Sequence, residues 1–514
     1  MARIINTADL TQESSLNAND SLWIYNGLDC CVTEEVRQNL HPMLDNVATA
    51  TYEFSKSLQA PVLEMAMRGL LVNQQRKHRV LAEMRQKLSL LQEHFDIILR
   101  EGVGIEPINW RSPTQLNNLL YDVMGLPEHK KRNSKGVYTR SSNREAIEAL
   151  SVYYIAEPLC NHLLAMRDLG KSIGFLETGI DPDGRMRTNL NIAGTNTGRF
   201  ASSVSDFGTG TNLQNVTASL RSVFVADPGY KFANLDLEQA DSRNVGALCW
   251  NAFVESHGEK WAGAYLDLCE SGDLHTNVCK MASPDLGWGE KRKEDGTLWT
   301  DREIADQPAY RHKSYRDNAK VLGHGSNYLG TPPTMAKHSK LPRKLVEEFQ
   351  KNYFGALPCI PLWHQSIFSD LEQFSSLTTP FGRRRFFFGR PKEAATRREA
   401  VAYQPQSMTA DEINTGILNL WRANRVQLLV QVHDSILFQY PEELEDEIVP
   451  WALETLKTYL TLAKGREFVV PTEAMTGWNW GYYNENNPDG LKKWKGHDDR
   501  KRQETEFRLS VRGM

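Results

Sequence analysis

The stretch 233–243 reads Ala-Asn-Leu-Asp-Leu-Glu-Gln-Ala-Asp-Ser-Arg, and its apolar start delivers one carboxylate, Asp236, to the end of a strand-like run. A charge at such a position is costly unless paired, and a metal ion is the partner that also explains acids nearby. A second acid, Asp434, stands in Leu428-Leu-Val-Gln-Val-His-Asp-Ser-Ile-Leu-Phe438, where two apolar runs flank Val432 to Ser435. That pattern predicts a hairpin with buried strands and an exposed turn. Two strand-end carboxylates side by side could hold a pair of divalent cations, the arrangement used for in-line phosphoryl transfer. The third element is a ladder, Arg316, Lys320, His324 and Tyr328, recurring at every fourth position. On a helix each lies one turn above the last on a slowly drifting face. Two cations followed by two rings suit a triphosphate at one end and its base at the other. A solvated amphipathic helix explains any one of the four; all four in register favour a nucleotide site.

Around these residues the chain predicts the following elements. Residues 1–55 open polar and turn helical, and Tyr25 and Asp29 lead into the helical run after them. A helical pattern from Tyr52 stops at Gly69, before the short apolar piece Leu70-Leu-Val-Asn73. A long amphipathic helix spans about residues 75–100, and Ser112-Pro-Thr-Gln-Leu116 reads as a capped helix start closed by Gly125. Residues 128–143, basic and poor in apolar side chains, read as a mobile loop between helices, with Lys130, Lys131 and Arg132 as solvated charge or as phosphate contacts. From Arg185 the pattern changes to short strands and turns. Helices follow at about 242–254 and around Asp273-Leu-His-Thr276, then an aperiodic surface insertion over 284–308. The ladder helix, strand pieces near 383–388, a helix over about 397–421, the Asp434 hairpin, a helix over 441–462 and an aromatic segment ending at Tyr483 complete the chain, with a charged, loose tail.

Composition is that of a soluble globular protein: 514 residues, 40% hydrophobic and 24% charged, enough for several domains. The net charge of -4 conceals basic islands such as Arg383-Arg384-Arg385. Seven scattered cysteines without a Cys-x-x-Cys indicate neither a disulfide frame nor a zinc site, and a reducing cytoplasm is the natural compartment. No apolar run approaches the roughly 20 residues of a membrane span, and no membrane partner is expected. No internal repeat is seen.

On these residues the chain resembles the family A DNA polymerases, the DNA polymerase I type, and in particular the compact versions encoded by bacteriophages. Residues 236–243 resemble that family's first palm motif, 316–330 its fingers helix, and Val432-His433-Asp434 its third motif. The likeness runs from about Tyr52 to Trp480. Arg68-Gly-Leu-Leu-Val-Asn73 and Ser112 to Leu116 are similar to its thumb, Thr197-Gly-Arg199 and Asn212-Leu-Gln-Asn215 to its DNA-binding palm edge, and Gln406 with Asp411 to the helix before the hairpin.

The resemblance implies an α+β right-hand fold and template-directed nucleotide addition to a primer 3′ end. Its parts would be an N-terminal remnant similar to the end of a 3′–5′ exonuclease domain (1–51), a thumb (52–195), a palm with a small antiparallel sheet (196–250 and 353–514, with the tail) and helical fingers (251–352). Asp236 and Asp434 would be the catalytic ligands of two magnesium ions. Arg316, Lys320 and His275 would meet the phosphates of a deoxynucleoside triphosphate, and His324, Tyr328, Gln239 and Asp241 the rest of it. Arg199 and Gln406 would test the minor groove of the primer–template end, with Asn212, Gln214, His433, Arg398 and the basic run 130–132 also on DNA. A cytoplasmic place, the host's if phage-encoded, and a separate exonuclease or other replication proteins as partners go with this reading.

The sequence departs from the family in places. Asp241 stands where a Glu usually blocks a ribose 2′-hydroxyl, which predicts weaker sugar discrimination unless Tyr328 has moved inward. His324 replaces Phe or Tyr, Ser435 replaces a Glu, so that two acids are expected to suffice, and Leu329 and Ala402 replace Gly and Asn. Tyr25 and Asp29 resemble the last metal-binding motif of a proofreading exonuclease, but the strands carrying its other acids are not in this chain. Asp29 is therefore read as a helix cap or a remnant, and no proofreading by this chain alone is expected. The rival readings are a metal-dependent exonuclease built on Asp236-Leu-Glu238, which leaves the ladder unexplained, a catalytically silent primer–template binder, and a single-subunit RNA polymerase, which an acid at 241 disfavours.

Overall fold

A computed structural model describes residues 18–133, 136–205, 208–310 and 313–496. Its centre is an antiparallel sheet of five strands: β1 (Tyr230–Leu237), β2 (Gln427–Val432), β3 (Ser435–Pro441), β4 (Thr472–Gly477) and β5 (Lys492–Lys493), in the order β2-β3-β1-β4-β5. β2 and β3 form the expected hairpin, closed by the pair Val432–Ser435 with His433 and Asp434 as its turn. His433 adopts a left-handed φ of 57°, which His tolerates better than a β-branched residue would. β1 lies between β3 and β4, so Asp236 is opposite Ser435 on one side and Glu473 on the other.

The principal helices are α1 (Gln74–Ile97), α2 (Glu157–Glu177), α3 (Ala240–His257), α4 (Leu274–Ala282), α5 (Tyr315–Asn327), α6 (Arg343–Ala356), α7 (Cys359–Phe374), α8 (Ala394–Ala423) and α9 (Glu445–Leu456). Three apolar bodies result. The largest joins β1 and β3 to α3, α4, α6, α7, α8 and α9. A second is built from α1, α2 and the helices between them, around Phe95, Leu116, Leu120 and Leu163. The third sits under a three-stranded sheet (Arg185–Met186, Leu70–Val72, Phe224–Val225) and carries Phe224, Leu437 and Trp480. That sheet is entered through Gly69, whose φ of 63° and close approach to Arg187 and Met186 leave no room for a Cβ.

α3 leaves β1 directly and delivers Asp241 one turn beyond the strand. It lies so close to the Ala264–Glu270 helix that a Cβ on Gly246 would come within 2.8 Å of Leu266 Cα. Lys231 of β1 meets Glu445 at the start of α9 (2.5 Å), and Thr476 of β4 also donates to that carboxylate (2.9 Å). The interior charge is therefore paired and hydrogen-bonded, the condition for tolerating it.

Three local expectations are corrected. The segment 128–143 contains a two-stranded ribbon, Lys130–Arg132 against Tyr138–Arg140, not a bare loop. Arg140 fastens it by pairing with Asp122 (2.8 Å) and Glu128 (2.5 Å). Asp29 lies inside the Ala18–Leu40 helix and caps nothing. The helix expected to reach residue 462 ends at Leu456, because the chain turns at Lys457 into a short strand, Tyr459–Thr461, paired with Glu467–Val469. The expected loose tail beyond residue 496, and residues 1–17, lie outside the described residues. All seven cysteines are free, and no described helix is long and apolar enough to cross a membrane.

Candidate active site

A cavity of about 290 Å³ opens where β1, the hairpin turn, α3, α4 and α5 converge. It is lined by Asp236, Asp434, Gln239 and Asp241 on one wall and by His275, Lys320 and His324 on the other. Seven residues singled out from sequence thus share one space, although the chain separates the two aspartates by most of its C-terminal half.

The two aspartates are brought together by strand pairing. Asp434 ends the hairpin turn, its carbonyl accepts from Leu237 N (3.1 Å), and the next residue pairs with Asp236. Loss of solvent at the cleft wall, then the charges of Asp434, Glu473 and Glu238, push Asp236 up to about 7. Burial raises Asp434 as well, with the Asp241 charge adding to it. Two carboxylates held against their own repulsion form an oxygen donor set fit for hard divalent cations, and magnesium characteristically takes only one or two protein carboxylates beside substrate phosphates. Among the described residues no group of three or more His, Cys, Asp or Glu side chains is gathered tightly enough to cage a metal by itself. The donor set therefore fits a cation that a phosphate-bearing substrate helps to hold.

Across the cavity, α5 starts with a capping box at Ser314 and Asp317. Its Lys320 and His324 face the opening, and the His324 ring meets Tyr328 edge-on at 4.8 Å. Burial keeps His324 below the ordinary histidine range, against the pull of Asp241. His275 is pushed down to about 4 by burial and by the Arg316 and Lys320 charges, so at neutral pH it is an uncharged hydrogen-bonding group. Arg316 does not line the cavity; its guanidinium is bound to Asp273, Nη2–Oδ1 2.8 Å.

Asp241 is held from below. Thr409 of α8 donates to its Oδ1 at 2.8 Å and Arg199 Nη2 lies at 3.4 Å. Thr409 in turn accepts from Asn244 (3.1 Å), which also donates to Glu412, a carboxyl that burial pushes up to about 8. The Tyr328 hydroxyl is sealed from solvent beside Asp241, and burial, then the charge of that carboxylate and its contact with the hydroxyl, hold its proton on. Arg199 Nε and Gln239 Oε1 are without partners in the protein. Such orphans are rare in folded proteins, and of these two residues Gln239 lines the cavity itself, as expected of a site that receives a polar ligand.

The remaining residues singled out from sequence lie around this centre. Gln406 is half-buried on α8, one turn before Thr409, and Arg398 is exposed nearer the start of that helix. Asn212 caps a short turn and donates to Ser202 O (2.9 Å), while Gln214 donates to Gln431 Oε1 (2.8 Å) under the hairpin. His433 is exposed at the turn. Lys130, Lys131 and Arg132 are exposed on the ribbon strand, outside the cavity, with Lys130 near Glu128 (3.0 Å).

Sequence reasoning missed Thr409, Asp273 and Glu473 beside Asp236, and it weighed Glu238 only within the exonuclease pattern. Burial and Glu473 push Glu238 up; Glu473, against the cost of burial, is held down by Lys493 (2.6 Å) and Glu238. Glu473 stands on β4, and nothing in the sequence indicated which strand would be its neighbour.

The family model for DNA polymerase family A matches residues 77–257 and 299–482. The chain belongs to that family, and the stretch between the two matched parts, 258–298, includes the start of the aperiodic segment. It is 26% identical over 485 residues to DNA polymerase I of Chloroflexus aurantiacus, covering 89% of this chain and 46% of that protein. It is 25% identical over 393 residues to the thermostable DNA polymerase I of Thermus aquaticus, covering 72% and 41%. The chain thus spans about half the length of these relatives. In fold it is similar to the POL domain of Pol1 from M. smegmatis, solved with DNA primer-template and dNTP, with a TM-score of 0.64, 22% identity, and coverage of 82% of this chain and 69% of that one.

Proposed function

We propose that this chain is a template-directed DNA polymerase that adds deoxynucleotides to a primer 3′ end by two-metal phosphoryl transfer. The observation that carries the reading is the single cavity in which Asp236 and Asp434 face Lys320, His275 and His324. Family membership and the primer–template and dNTP bound by the M. smegmatis domain support it.

In this reading Asp236 and Asp434 hold two magnesium ions. When bound, these would lower the pKa of the primer hydroxyl and neutralise the triphosphate and leaving pyrophosphate. Lys320 offers a cation to the phosphates, and neutral His275 donates one hydrogen bond without adding charge. His324 presents a ring to the nucleotide, and Asp241, Gln239 and Tyr328 border its sugar side. The primer hydroxyl oxygen bonds to the α-phosphorus as the bond to pyrophosphate breaks, and the hydroxyl proton leaves to solvent. Arg199 and Gln406 would test the primer-terminal pair from the minor groove, with Asn212, Gln214, His433 and Arg398 along the DNA and residues 130–132 on duplex phosphates.

We assign residues 52–195 to a thumb, 196–250 and 353–514 to a palm, 251–352 to fingers and 1–51 to a segment similar to the end of a 3′–5′ exonuclease domain. We further propose service in bacteriophage DNA replication, with a separate exonuclease or other replication proteins as partners.

The test is extension of a 5′-labelled primer on a longer template with magnesium, with and without deoxynucleotides, alongside Asp434→Ala. Products longer than the primer, only with nucleotides and only in the unaltered protein, are expected. Shortened products without nucleotides would instead make the chain an exonuclease, and bound but unchanged primer would leave a DNA-binding module.

A further inference from the structure

Of the two ladder cations on α5, Lys320 lines the cavity and Arg316 does not. Its guanidinium straddles Asp273, Nη2 on Oδ1 at 2.8 Å and Nε on Oδ2 at 3.1 Å. Asp273 cannot follow it elsewhere. It caps α4, accepting from Thr276 N (3.3 Å) and Thr276 Oγ1 (2.8 Å), and its charge-assisted bonds hold its carboxyl well below the usual range despite partial burial. A second guanidinium shares the same carboxylate: Arg302 Nη1 lies 2.8 Å from Asp273 Oδ2. Arg302 comes from the short helix Asp301–Ala305, at the end of the aperiodic segment, and is itself steadied by Asp306 at 2.5 Å.

The two arginines and the two carboxylates, Asp273 and Asp306, form one charge-balanced cluster beside the cavity. His275, two residues after Asp273, lines the cavity, and its depressed pKa reports the Arg316 charge there. For Arg316 to reach a polyphosphate in the cavity it must leave Asp273. Left alone, that half-buried carboxylate would lose its charge-assisted bonds and would repel the arriving anion. Arg302 stays behind and removes both costs. Its side chain is 53% exposed against 19% for Arg316, so it has the room to adjust as its neighbour departs.

We propose that Arg302 is a positioning residue that takes over Asp273 and so releases Arg316 to the triphosphate of an incoming nucleotide. This rests on the polymerase reading for the identity of the anion. Arg302 touches no reacting atom, and its effect falls on nucleotide affinity.

The experiment measures kcat and KM for one deoxynucleoside triphosphate in primer extension. Calorimetric binding of the same nucleotide and of pyrophosphate to the protein–primer–template complex, with magnesium, runs beside it. Arg302→Met is expected to raise KM, and both dissociation constants, by about tenfold, the size of one charge-assisted hydrogen bond, with kcat nearly unchanged. Arg302→Lys should restore most of the affinity, and in an Arg316→Met background Arg302→Met should add little. Unchanged affinity in Arg302→Met would overturn the proposal. So would an equal loss in the Arg316→Met background, or a fall in kcat and thermal stability at unchanged affinity, which marks a merely structural arginine. Failure of the unaltered protein to extend primers overturns the polymerase reading instead, and the pyrophosphate arm still decides the role of Arg302.

Discussion

Replacing Asp236 by Asn should stabilise the metal-free protein while abolishing its chemistry. Asp236 sits at about 7 because it lies at a cleft wall beside three other carboxylates. An ordinary aspartate titrates near ~3.9, and at ~1.4 kcal/mol per pH unit the difference is worth about 4 kcal/mol for a fully buried group. Asp236 opens to solvent, so screening reduces this to about 1–2 kcal/mol. The sign follows from proton uptake. Below pH ~4 the carboxyl is protonated folded and unfolded, and it costs nothing. Between there and about 7 only the folded protein keeps the proton, so unfolding free energy falls as pH rises. Above 7 the full cost persists. In urea unfolding with EDTA, Asp236→Asn should therefore exceed the unaltered protein by about 1–2 kcal/mol at pH 8, and the two should converge toward pH 4. Magnesium reverses the order: at a hundred times its dissociation constant it adds about 2.7 kcal/mol to a protein that binds it, and little to the Asn variant. Equal or lower stability of Asp236→Asn at pH 8 in EDTA would refute the account of the site as repulsion held in reserve for cations.

Thr409→Val keeps the shape of the residue but removes the donor that holds Asp241. The carboxylate should then shift toward the neighbouring Tyr328 hydroxyl, and the ratio of kcat/KM for deoxy- over ribonucleotides should change by about tenfold, the worth of a hydrogen bond to a charged group. Thr409→Ser should keep the original ratio, and Asp241→Glu should raise it. Equal ratios in all four proteins would show that residue 241 does not meet the sugar. Alanine at Lys130, Lys131 and Arg132 together should weaken primer–template binding alike for all sequences and flatten the salt dependence by about two to three in log–log slope, measured by fluorescence anisotropy at several salt concentrations. An unchanged slope would place the ribbon away from DNA.

Much of this was legible in the chain. The two apolar runs on either side of 432–435 specified a hairpin with Asp434 in its turn, because both strands are buried and a two-residue turn leaves little choice of register. The four-residue spacing of Arg316, Lys320, His324 and Tyr328 specified a helix, which the structure places at Tyr315–Asn327 with Tyr328 as its C-cap. Such patterns are local, and local sterics and burial decide them. They also carried the resemblance to family A polymerases, since motif order survives where overall identity is low.

What the chain did not disclose was who meets whom. That Asp236 lies between Ser435 and Glu473 depends on β1 entering the middle of the sheet, a matter of strand order. That Arg316 turns to Asp273 while Lys320 faces the cavity depends on where α4 caps against α5, and that Thr409 holds Asp241 depends on how α8 crosses α3. The shift of Asp236 to about 7 has no sequence signature either, because it sums solvent loss and three charges from separate strands and turns. Residue types and spacing determined which groups this protein has for chemistry; long-range packing decided which are free, which are paired and which are charged, because those properties come from neighbours that the chain brings in from far away.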